Sequence, residues 1–310
     1  MEPTYLKLYH DGTLQQRIHD ALALLKSCEL CPRRCKVNRI EGDKGVCRTG
    51  RHAMVSSSSP HFGEEAVLTG RFGSGTIFFT WCNLLCCFCQ NSDISHEGQG
   101  EEVSAEVLAD MMIELQNKGV HNINFVSPTH VVPQILEALP LAIQKGLNIP
   151  LVYNTGGYDL VETLRFLEGV IDIYMPDYKF SQDIPALFYC KAPDYPEIIK
   201  SALREMHRQV GDLEMDKNNR AVRGLLVRHL VMPDGLAGTR QAMKFIADEI
   251  SHRTYVNIMD QYHPCGEADK FPELNRRITP EEYEEALQAT RDAGLTRLDN
   301  RQRPILLHWR

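Results

Sequence analysis

The sequence predicts an α/β protein, an open barrel of six strand–helix units or partial (β/α)6 barrel, preceded by a small cysteine-rich lobe. From about residue 65, short apolar runs alternate with amphipathic stretches, which is typical of parallel strands covered by helices. Residues 28–47 hold four cysteines in a basic, glycine-punctuated stretch without periodicity, and this predicts the lobe. A chain of 310 residues, 43% of them hydrophobic, has room for both parts but not for a closed barrel of eight units.

The amino-terminal region is predicted to hold one helix and a metal site. Apolar side chains recur at helical spacing in residues 13–26, at Leu14, Ile18, Ala21, Leu22 and Leu25. The cysteines that follow have the spacing C-x2-C-x3-C-x11-C and are Cys28, Cys31, Cys35 and Cys47. Four thiolates in a segment with so little core indicate a bound metal. We therefore divide the chain into an N-terminal helix and four-cysteine metal lobe, residues 1–64, and a barrel with a C-terminal helix, residues 65–310.

The barrel is predicted from six strand–helix pairs in strict alternation. The strands are expected near 75–80, 121–127, 149–153, 171–175, 223–231 and 255–260. The helices are expected near 104–117, 131–145, 159–167, 194–210, 237–251 and 280–293. Thr279, Pro280 and Glu282 predict an N-cap, a first-turn proline and a capping box for the last helix. The connection after the fourth strand, which contains Cys190, is a candidate lid.

Each predicted strand ends in polar sequence, and in barrels of this kind the chemistry lies on the loops at the carboxyl ends of the strands. The six loops are CNLLCCFCQN, SPTH, NTGGYD, PDYKF, MPDG and QYHPC. We expect one rim to collect the loop cysteines with His130, Asn154, Asp177, Lys179 and His263. His61, Glu64 and Glu65 precede the barrel, and nothing in the sequence fixes their position.

Composition restricts the class of protein. The amino terminus has no apolar signal core and no segment has the length of a membrane span, so we expect a cytoplasmic protein without membrane contact. The formal net charge of −7 indicates no nucleic-acid partner. Ten cysteines in such a chain favour metal or redox chemistry over a disulfide framework.

The first barrel loop carries the most specific motif. Cys82, Cys86 and Cys89 have the spacing C-x3-C-x2-C, and Cys87 falls at no position of that pattern. On these residues the chain resembles the radical S-adenosylmethionine (radical SAM) superfamily. The resemblance implies a 4Fe-4S cluster held by three thiolates, with one iron left open for SAM. It also implies reductive cleavage of SAM to a 5'-deoxyadenosyl radical that abstracts hydrogen from a substrate.

Within that superfamily the chain is most similar to the pyruvate formate-lyase activating enzymes. Met175, Asp177 and Lys179 match a strand end that helps to bind the methionyl carboxylate and a monovalent cation there. Tyr262 and His263 match a Tyr-His pair that touches the adenosyl group, and Arg228 matches an arginine of the fifth strand. The resemblance therefore implies that Asp177, Lys179, Arg228, Tyr262 and His263 bind SAM.

The departures from that pattern concern the cofactor and the partner. Ser127, Pro128 and Thr129 replace a Gly-Gly-Glu that receives the SAM amino group, and we expect the hydroxyls of Ser127 and Thr129 to accept from it instead. Asn154 replaces an Asp, which removes one negative charge from the cation site. The Gly-x-Arg signature of glycyl-radical activases is missing before the cysteine loop. The uncharacterised pyruvate formate-lyase activating enzyme-like subfamily shares CELCPRRCKVNR, GSGTIFF and NTGGYD with this chain.

The leading hypothesis is thus a radical SAM enzyme whose substrate is either a glycine of a partner protein or a small molecule. Its chemistry implies an electron donor such as flavodoxin or ferredoxin. The alternative is a non-catalytic zinc or iron–sulfur binding module that has lost SAM cleavage, which the altered Gly-Gly-Glu region favours. For the Cys28, Cys31, Cys35 and Cys47 site, zinc and a second iron–sulfur cluster both need four cysteines; we favour zinc because the radical chemistry needs only one cluster.

Overall fold

The computed structural model describes residues 2–299. The helices are α1 Tyr5–His10, α2 Thr13–Ala23, α3 Ala66–Thr69, α4 Ser92–Ser95, α5 Ala105–Asn117, α6 Val132–Gln144, α7 Val161–Phe166, α8 Asp183–Cys190, α9 Tyr195–Val210, α10 Thr239–Phe245 and α11 Pro280–Asp292. The strands are β1 Ala53–His61, β2 Ser74–Phe79, β3 Glu101–Val103, β4 Ile123–Val126, β5 Leu151–Thr155, β6 Ile173–Pro176, β7 Glu214–Met215, β8 Ala221–Leu230 and β9 Tyr255–Met259.

Short turns of other helix types complete the elements. The 3-10 turns are Leu24–Ser27, Arg39–Glu41, Thr129–Val131, Pro233–Gly235, Ala268–Lys270 and Pro272–Leu274, and a π turn at Ile246–Ile250 continues α10. Within residues 2–299 no helix has both the length and the apolar character needed to cross a lipid bilayer.

Six strands form a parallel sheet in chain order, β2-β4-β5-β6-β8-β9, and this confirms the predicted α/β fold class. Among the described residues β2 and β9 do not pair with each other, so the sheet is open. On the β2 side it is extended by antiparallel pairing of β1 with β2 and of β3 with β1. Because β1 lies at residues 53–61, the sheet crosses the boundary at residue 64 that the sequence suggested.

The two faces of the sheet are covered differently. One face packs against the long helices, and here Phe125 and Tyr153 belong to the same apolar cluster as Leu115 of α5 and Leu139 of α6. Alternation with period two turns the neighbouring residues to the opposite, inner face. There Val152 and Ile173 pack with Val67 and Leu68, so α3 closes the amino ends of the strands. Within residues 2–299 the inner face opens toward the carboxyl ends of the strands.

The predicted cap of α11 is present. The Thr279 hydroxyl accepts from the Glu282 amide at 3.2 Å, and the Thr279 amide donates to the Glu282 carboxylate at 2.8 Å. In the connection after the fourth strand, the candidate lid, residues 183–190 form α8, and the carboxyl end of α8 is hydrogen-bonded to the cysteine loop. Leu85 N donates to Cys190 O, and Cys87 N donates to Tyr189 O.

A glycine in the NTGGYD loop fixes how closely that loop approaches its neighbours. Gly157 has φ +80°, and a Cβ there would lie 2.8 Å from Asp177 O and overlap Ile199. We expect Gly157→Ala to lower the free energy of unfolding by about 2–4 kcal/mol, measured with urea, because left-handed strain adds to overpacking. Gly146→Ala is the control for backbone strain alone, because Gly146 also has a positive φ but a Cβ there would have no atom within 4 Å. We expect it to lower the free energy of unfolding by about 1–2 kcal/mol. Equal losses in the two variants would contradict the overpacking.

Candidate functional site

A cavity of about 410 Å³ opens at the carboxyl ends of the parallel strands. Its wall combines apolar side chains, including Phe78, Leu84 and Phe88, with polar groups from several of the neighbouring strands and loops. The residues expected from the sequence that line it are Cys82, Cys86, Cys89, Ser127, Asn154, Asp177, Lys179 and Arg228. The strand order therefore brings the motif cysteines and most of the expected cofactor-binding residues into one space.

The three motif cysteines share this cavity on a loop shaped by its own backbone. Cys89 N donates to Cys86 O at 3.1 Å, and Leu84 N points at Cys82 Sγ at 3.4 Å. The Cys86 and Cys190 Sγ atoms are 3.0 Å apart. No set of three or more His, Cys, Asp or Glu side chains among residues 2–299 stands ready-made around a single ion. The loop therefore fits an iron–sulfur cluster in two respects. It offers three thiol ligands, and these thiols line a cavity with additional space next to them.

The surroundings of the thiols differ. Burial raises the pKa of Cys82 to about 12, and burial also raises the pKa of Cys89. The hydrogen bond with Cys190 lowers the pKa of Cys86. Thiols of high pKa bind a metal only with release of their protons, so metal binding at this loop is coupled to deprotonation.

A buried charge network forms the opposite wall. Asp177 Oδ2 accepts from Lys179 Nζ at 2.7 Å, and Asp177 Oδ1 accepts from Arg228 Nε at 2.7 Å. Arg228 also donates through Nη2 to Asn154 Oδ1 at 2.7 Å and lies 3.5 Å from Glu64. Burial alone would raise the pKa of Asp177, but the two cations outweigh burial and lower it to about 2. The wall thus presents fixed charges of both signs, which suits a zwitterionic amino-acid group.

Ser127 lies on this wall with an unusual backbone. Its φ of +57° is left-handed, and its amide donates to Asn154 O at 2.9 Å. Such a conformation is strained for a residue with a Cβ and is found where tertiary structure enforces it.

Three expected cofactor-binding residues do not line the cavity. Thr129 is buried behind the wall and donates to Asp159 Oδ1 at 2.7 Å. Tyr262 is buried, donates to Leu274 O at 2.8 Å and packs its ring against Phe88. His263 is outside the wall, with Nδ1 3.2 Å from Gln261 O. Sequence order gave the correct loop for each residue but not the direction of its side chain.

His130 is also absent from the rim where the sequence placed it. It is fully buried, its Nε2 is 3.0 Å from Thr80 O, and burial lowers its pKa to about 3. Its ring therefore serves as a neutral structural link between β2 and the loop after β4.

Sequence reasoning missed one contributor, Asp159, and left the position of another, Glu64, open. Asp159, the last residue of NTGGYD, is a buried hub that accepts from the hydroxyls of Thr129, Tyr153 and Thr155. Its neighbours in the sequence are turn residues, and no pattern marks a buried carboxylate. Glu64 lines the cavity because α3 enters the inner face of the sheet. The apolar pair that follows the two glutamates, Val67 and Leu68, was the available signal for this insertion.

The four amino-terminal cysteines also converge. Cys28, Cys31, Cys35 and Cys47 line one small cavity of about 10 Å³. The turns that gather them include Cys28 N to Val37 O at 3.0 Å and Arg34 N to Cys31 O at 3.0 Å. Burial raises the pKa of Cys31 to about 12 and raises the pKa of Cys47.

A family model described as the radical SAM superfamily matches residues 76–212, the segment from β2 into the loop after α9. With the parallel sheet and the cysteine loop at its carboxyl edge, this match places the chain in a class of enzymes. The chain therefore contains a domain of the radical SAM superfamily, and that superfamily implies a 4Fe-4S cluster and SAM as cofactors. Among curated proteins it is similar to Uncharacterized protein MJ0674 of Methanocaldococcus jannaschii, with 34% identity over 292 residues that cover 91% of this chain and 80% of that protein.

Solved structures show more distant similarity. A radical SAM methyltransferase from Sphaerobacter thermophilus aligns with TM-score 0.49 and 14% identity over 71% of this chain and 64% of its own. HydG, a maturase of the FeFe-hydrogenase, aligns with TM-score 0.49 and 13% identity over 72% and 50%. The structure of anSMEcpe with bound AdoMet aligns with TM-score 0.47 and 14% identity over 69% and 57%. The chain spans about half to two thirds of the length of these solved chains.

Proposed function

We propose that Cys82, Cys86 and Cys89 hold the 4Fe-4S cluster and that SAM occupies the adjoining cavity. The observation that supports this proposal is that the three thiols and the Asp177–Lys179–Arg228 network line the same space. When bound, the reduced cluster and SAM supply a 5'-deoxyadenosyl radical, which abstracts hydrogen from the substrate.

The chain's own residues bind and orient the cofactor. Lys179 lines the same cavity as the three cysteines, so its ammonium is placed to receive the methionyl carboxylate beside the cluster. Asp177, and the oxygens of Ser127 and Asn154, are the acceptors available for the amino group. Phe78, Leu84 and other apolar side chains exclude water from the reacting atoms.

The residues behind the wall have a supporting role in this proposal. Thr129 orients the Asp159 hub, which holds the loops after β4 and β5 together. Tyr262 supports Phe88, one residue before Cys89, from the side away from the cavity. His263, beside Gln90, is assigned to the rim where substrate enters.

For the amino-terminal lobe we propose a structural zinc ion held by Cys28, Cys31, Cys35 and Cys47. The donor set is four thiols that line one cavity, and four thiolates are the number of ligands that a structural zinc ion takes. The cavity that they line is narrow, about 10 Å³, and suits one small ion. The second iron–sulfur cluster remains the alternative occupant.

Metal analysis and SAM turnover test these assignments together. After anaerobic reconstitution we expect about four irons and one zinc per chain, and about eight irons if the lobe holds a second cluster. The reduced protein is expected to convert SAM to methionine and 5'-deoxyadenosine. A fully loaded, reduced protein that never releases 5'-deoxyadenosine would instead support the non-catalytic binding module.

Two substrate classes are open for the proposed reaction, which needs an electron donor such as flavodoxin or ferredoxin. A glycyl-radical activase abstracts from a partner protein, whereas a small-molecule enzyme closes over its substrate. The missing Gly-x-Arg favours the small molecule. Incubating the reduced protein with SAM and candidate glycyl-radical proteins, followed by electron spin resonance, decides: a glycyl radical signal supports the activase, and its absence across cognate partners excludes it.

A further inference from the structure

Arg33 joins the two cysteine groups. It lies between Cys31 and Cys35 in the sequence, and its guanidinium leaves the lobe to contact three backbone carbonyls of the barrel. Nε donates to Asn83 O at 2.9 Å, Nη2 donates to Cys190 O at 3.3 Å and Nη1 donates to Lys191 O. The same guanidinium lies 5.2 Å above the centre of the Tyr158 ring. A planar fork with five N–H groups can make this set of contacts, whereas an ammonium cannot.

The acceptors of Arg33 flank the motif cysteines. Asn83 directly follows Cys82, so its carbonyl belongs to the main chain of the cluster loop. Cys190 has its thiol sulfur 3.0 Å from Cys86 Sγ, and its carbonyl also accepts from Leu85 N. Arg33 therefore fixes both the loop and the end of α8 that packs on it.

Two other arginines of the lobe act on the residues just before Cys82. The Arg48 guanidinium lies 5.0 Å from the centre of the Trp81 ring. Arg39 is buried and donates to His130 O at 2.8 Å, and the His130 ring bonds Thr80 O. The cluster loop is thus held from the lobe on both sides of its first cysteine.

The lobe itself has little apolar core to hold its arginines in place. Only Leu25, Cys28 and Leu30 form its buried cluster among the described residues, with Leu22, Leu24 and Val37 packed against them. In the absence of a bound metal, the support that the lobe itself gives to Arg33 consists of this small cluster and a few turns. A metal that ties Cys31 and Cys35 together fixes the two residues on either side of it.

We infer that metal binding at Cys28, Cys31, Cys35 and Cys47 positions Arg33 and thereby raises the affinity of the Cys82, Cys86 and Cys89 loop for its iron–sulfur cluster. This inference rests on the two metal sites of the proposed function and adds an energetic coupling between them. Arg33 is a positioning residue, since it contacts the main chain of the loop and not the cluster. By linkage, a bound cluster strengthens zinc binding by the same factor.

The test measures how tightly iron is held, with and without zinc. The full chain is reconstituted anaerobically with ferrous iron and sulfide, in the presence or absence of Zn²⁺, and the iron retained against a competing chelator is determined. We expect zinc to raise the apparent iron affinity of the wild type roughly tenfold. In Arg33→Ala and Arg33→Lys we expect zinc to change it by less than about twofold.

Arg34→Ala is the matched control, because Arg34 is the next residue, is exposed, and its guanidinium pairs with Glu29 of the same lobe at 3.1 Å. It is expected to keep the full zinc effect. Zinc content and circular dichroism of the same samples show that each variant is loaded and folded. The electron spin resonance signal of the reduced cluster should broaden in Arg33→Ala and stay unchanged in Arg34→Ala, a difference that a general loss of stability does not produce.

The outcomes separate the inference from the proposed function. If zinc does not change the apparent iron affinity of the wild type, or changes it equally in Arg33→Ala, the coupling through Arg33 is overturned. Both metal sites of the proposed function are unaffected by that result. A wild type that binds no zinc at the lobe overturns the coupling together with the zinc assignment. A zinc effect that disappears only in the Arg33 variants supports the coupling, even if the protein forms no 5'-deoxyadenosine.

Discussion

Cys86→Ala is expected to lose the iron–sulfur cluster of the barrel and, with it, all measurable 5'-deoxyadenosine formation. Cys86 is buried at the centre of the motif, and its backbone carbonyl accepts from Cys89 N, so the loop keeps its turn in the variant while one ligand is removed. Three thiolates are the minimum that holds the cluster while leaving an iron open to SAM. Iron content after reconstitution and product formation from SAM measure the effect.

Cys87→Ala is the control for this prediction. Cys87 acts through its backbone, which donates to Tyr189 O at 2.8 Å and accepts from Glu267 N at 2.6 Å, and alanine keeps both bonds. We therefore expect wild-type iron content and a stability loss of about 1 kcal/mol. Equal iron loss in the two variants would show that the motif spacing does not identify the ligands.

Arg228→Met is expected to lower the free energy of unfolding by about 3–5 kcal/mol, because it leaves buried carboxylates without their counter-charge. Arg228 is 16% exposed, and it is the shared partner of Asp177 at 2.7 Å and of Glu64 at 3.5 Å. Denaturant unfolding at neutral pH measures the loss. In the wild type, the lowered pKa of Asp177 stabilises the fold above the ordinary carboxyl pKa of about 4. This contribution to the free energy of unfolding is lost as the pH falls toward about 2. Between about pH 4 and about pH 2 the free energy of unfolding of Arg228→Met should therefore fall less than that of the wild type.

A surface arginine provides the comparison. Arg240 is 71% exposed and contacts Asp292 at 3.4 Å, so Arg240→Met should cost less than about 1 kcal/mol. Adding Asp177→Asn to Arg228→Met should recover part of the lost stability, since one uncompensated charge is removed. Similar losses for Arg228→Met and Arg240→Met would mean that the buried network contributes no more than a surface pair.

The parallel strands and their helices were predictable to within a few residues, because buried strands and amphipathic helices have distinct periodicities. β1 escaped prediction because its sequence, AMVSSSSPH, has no sustained apolar alternation and becomes a strand by pairing with β2. α8 escaped because it is short and contains Pro185, and its position is fixed by contacts with the cysteine loop.

At the site, the sequence identified loops more reliably than side-chain directions. Parallel topology alone brings the residues that end each strand to one edge, which is why Asn154, Asp177 and Lys179 were found together. Whether a residue of such a loop faces the cavity depends on tertiary hydrogen bonds, as the burial of Thr129 against Asp159 illustrates.

The insertion of α3 among the amino ends of the strands has a kinetic consequence for the proposed reaction. Val67 and Leu68 seal that end of the barrel, and Leu68 O is anchored by the Asn122 amide at 2.9 Å. In the described part of the chain the cavity opens at the opposite end. Under the proposed function, substrate, methionine and 5'-deoxyadenosine would share that opening. The order of binding and release then depends on the size of the substrate. A bulky substrate bound at the opening would keep methionine and 5'-deoxyadenosine in the cavity until the substrate itself dissociates. A small substrate would enter the cavity after SAM has bound.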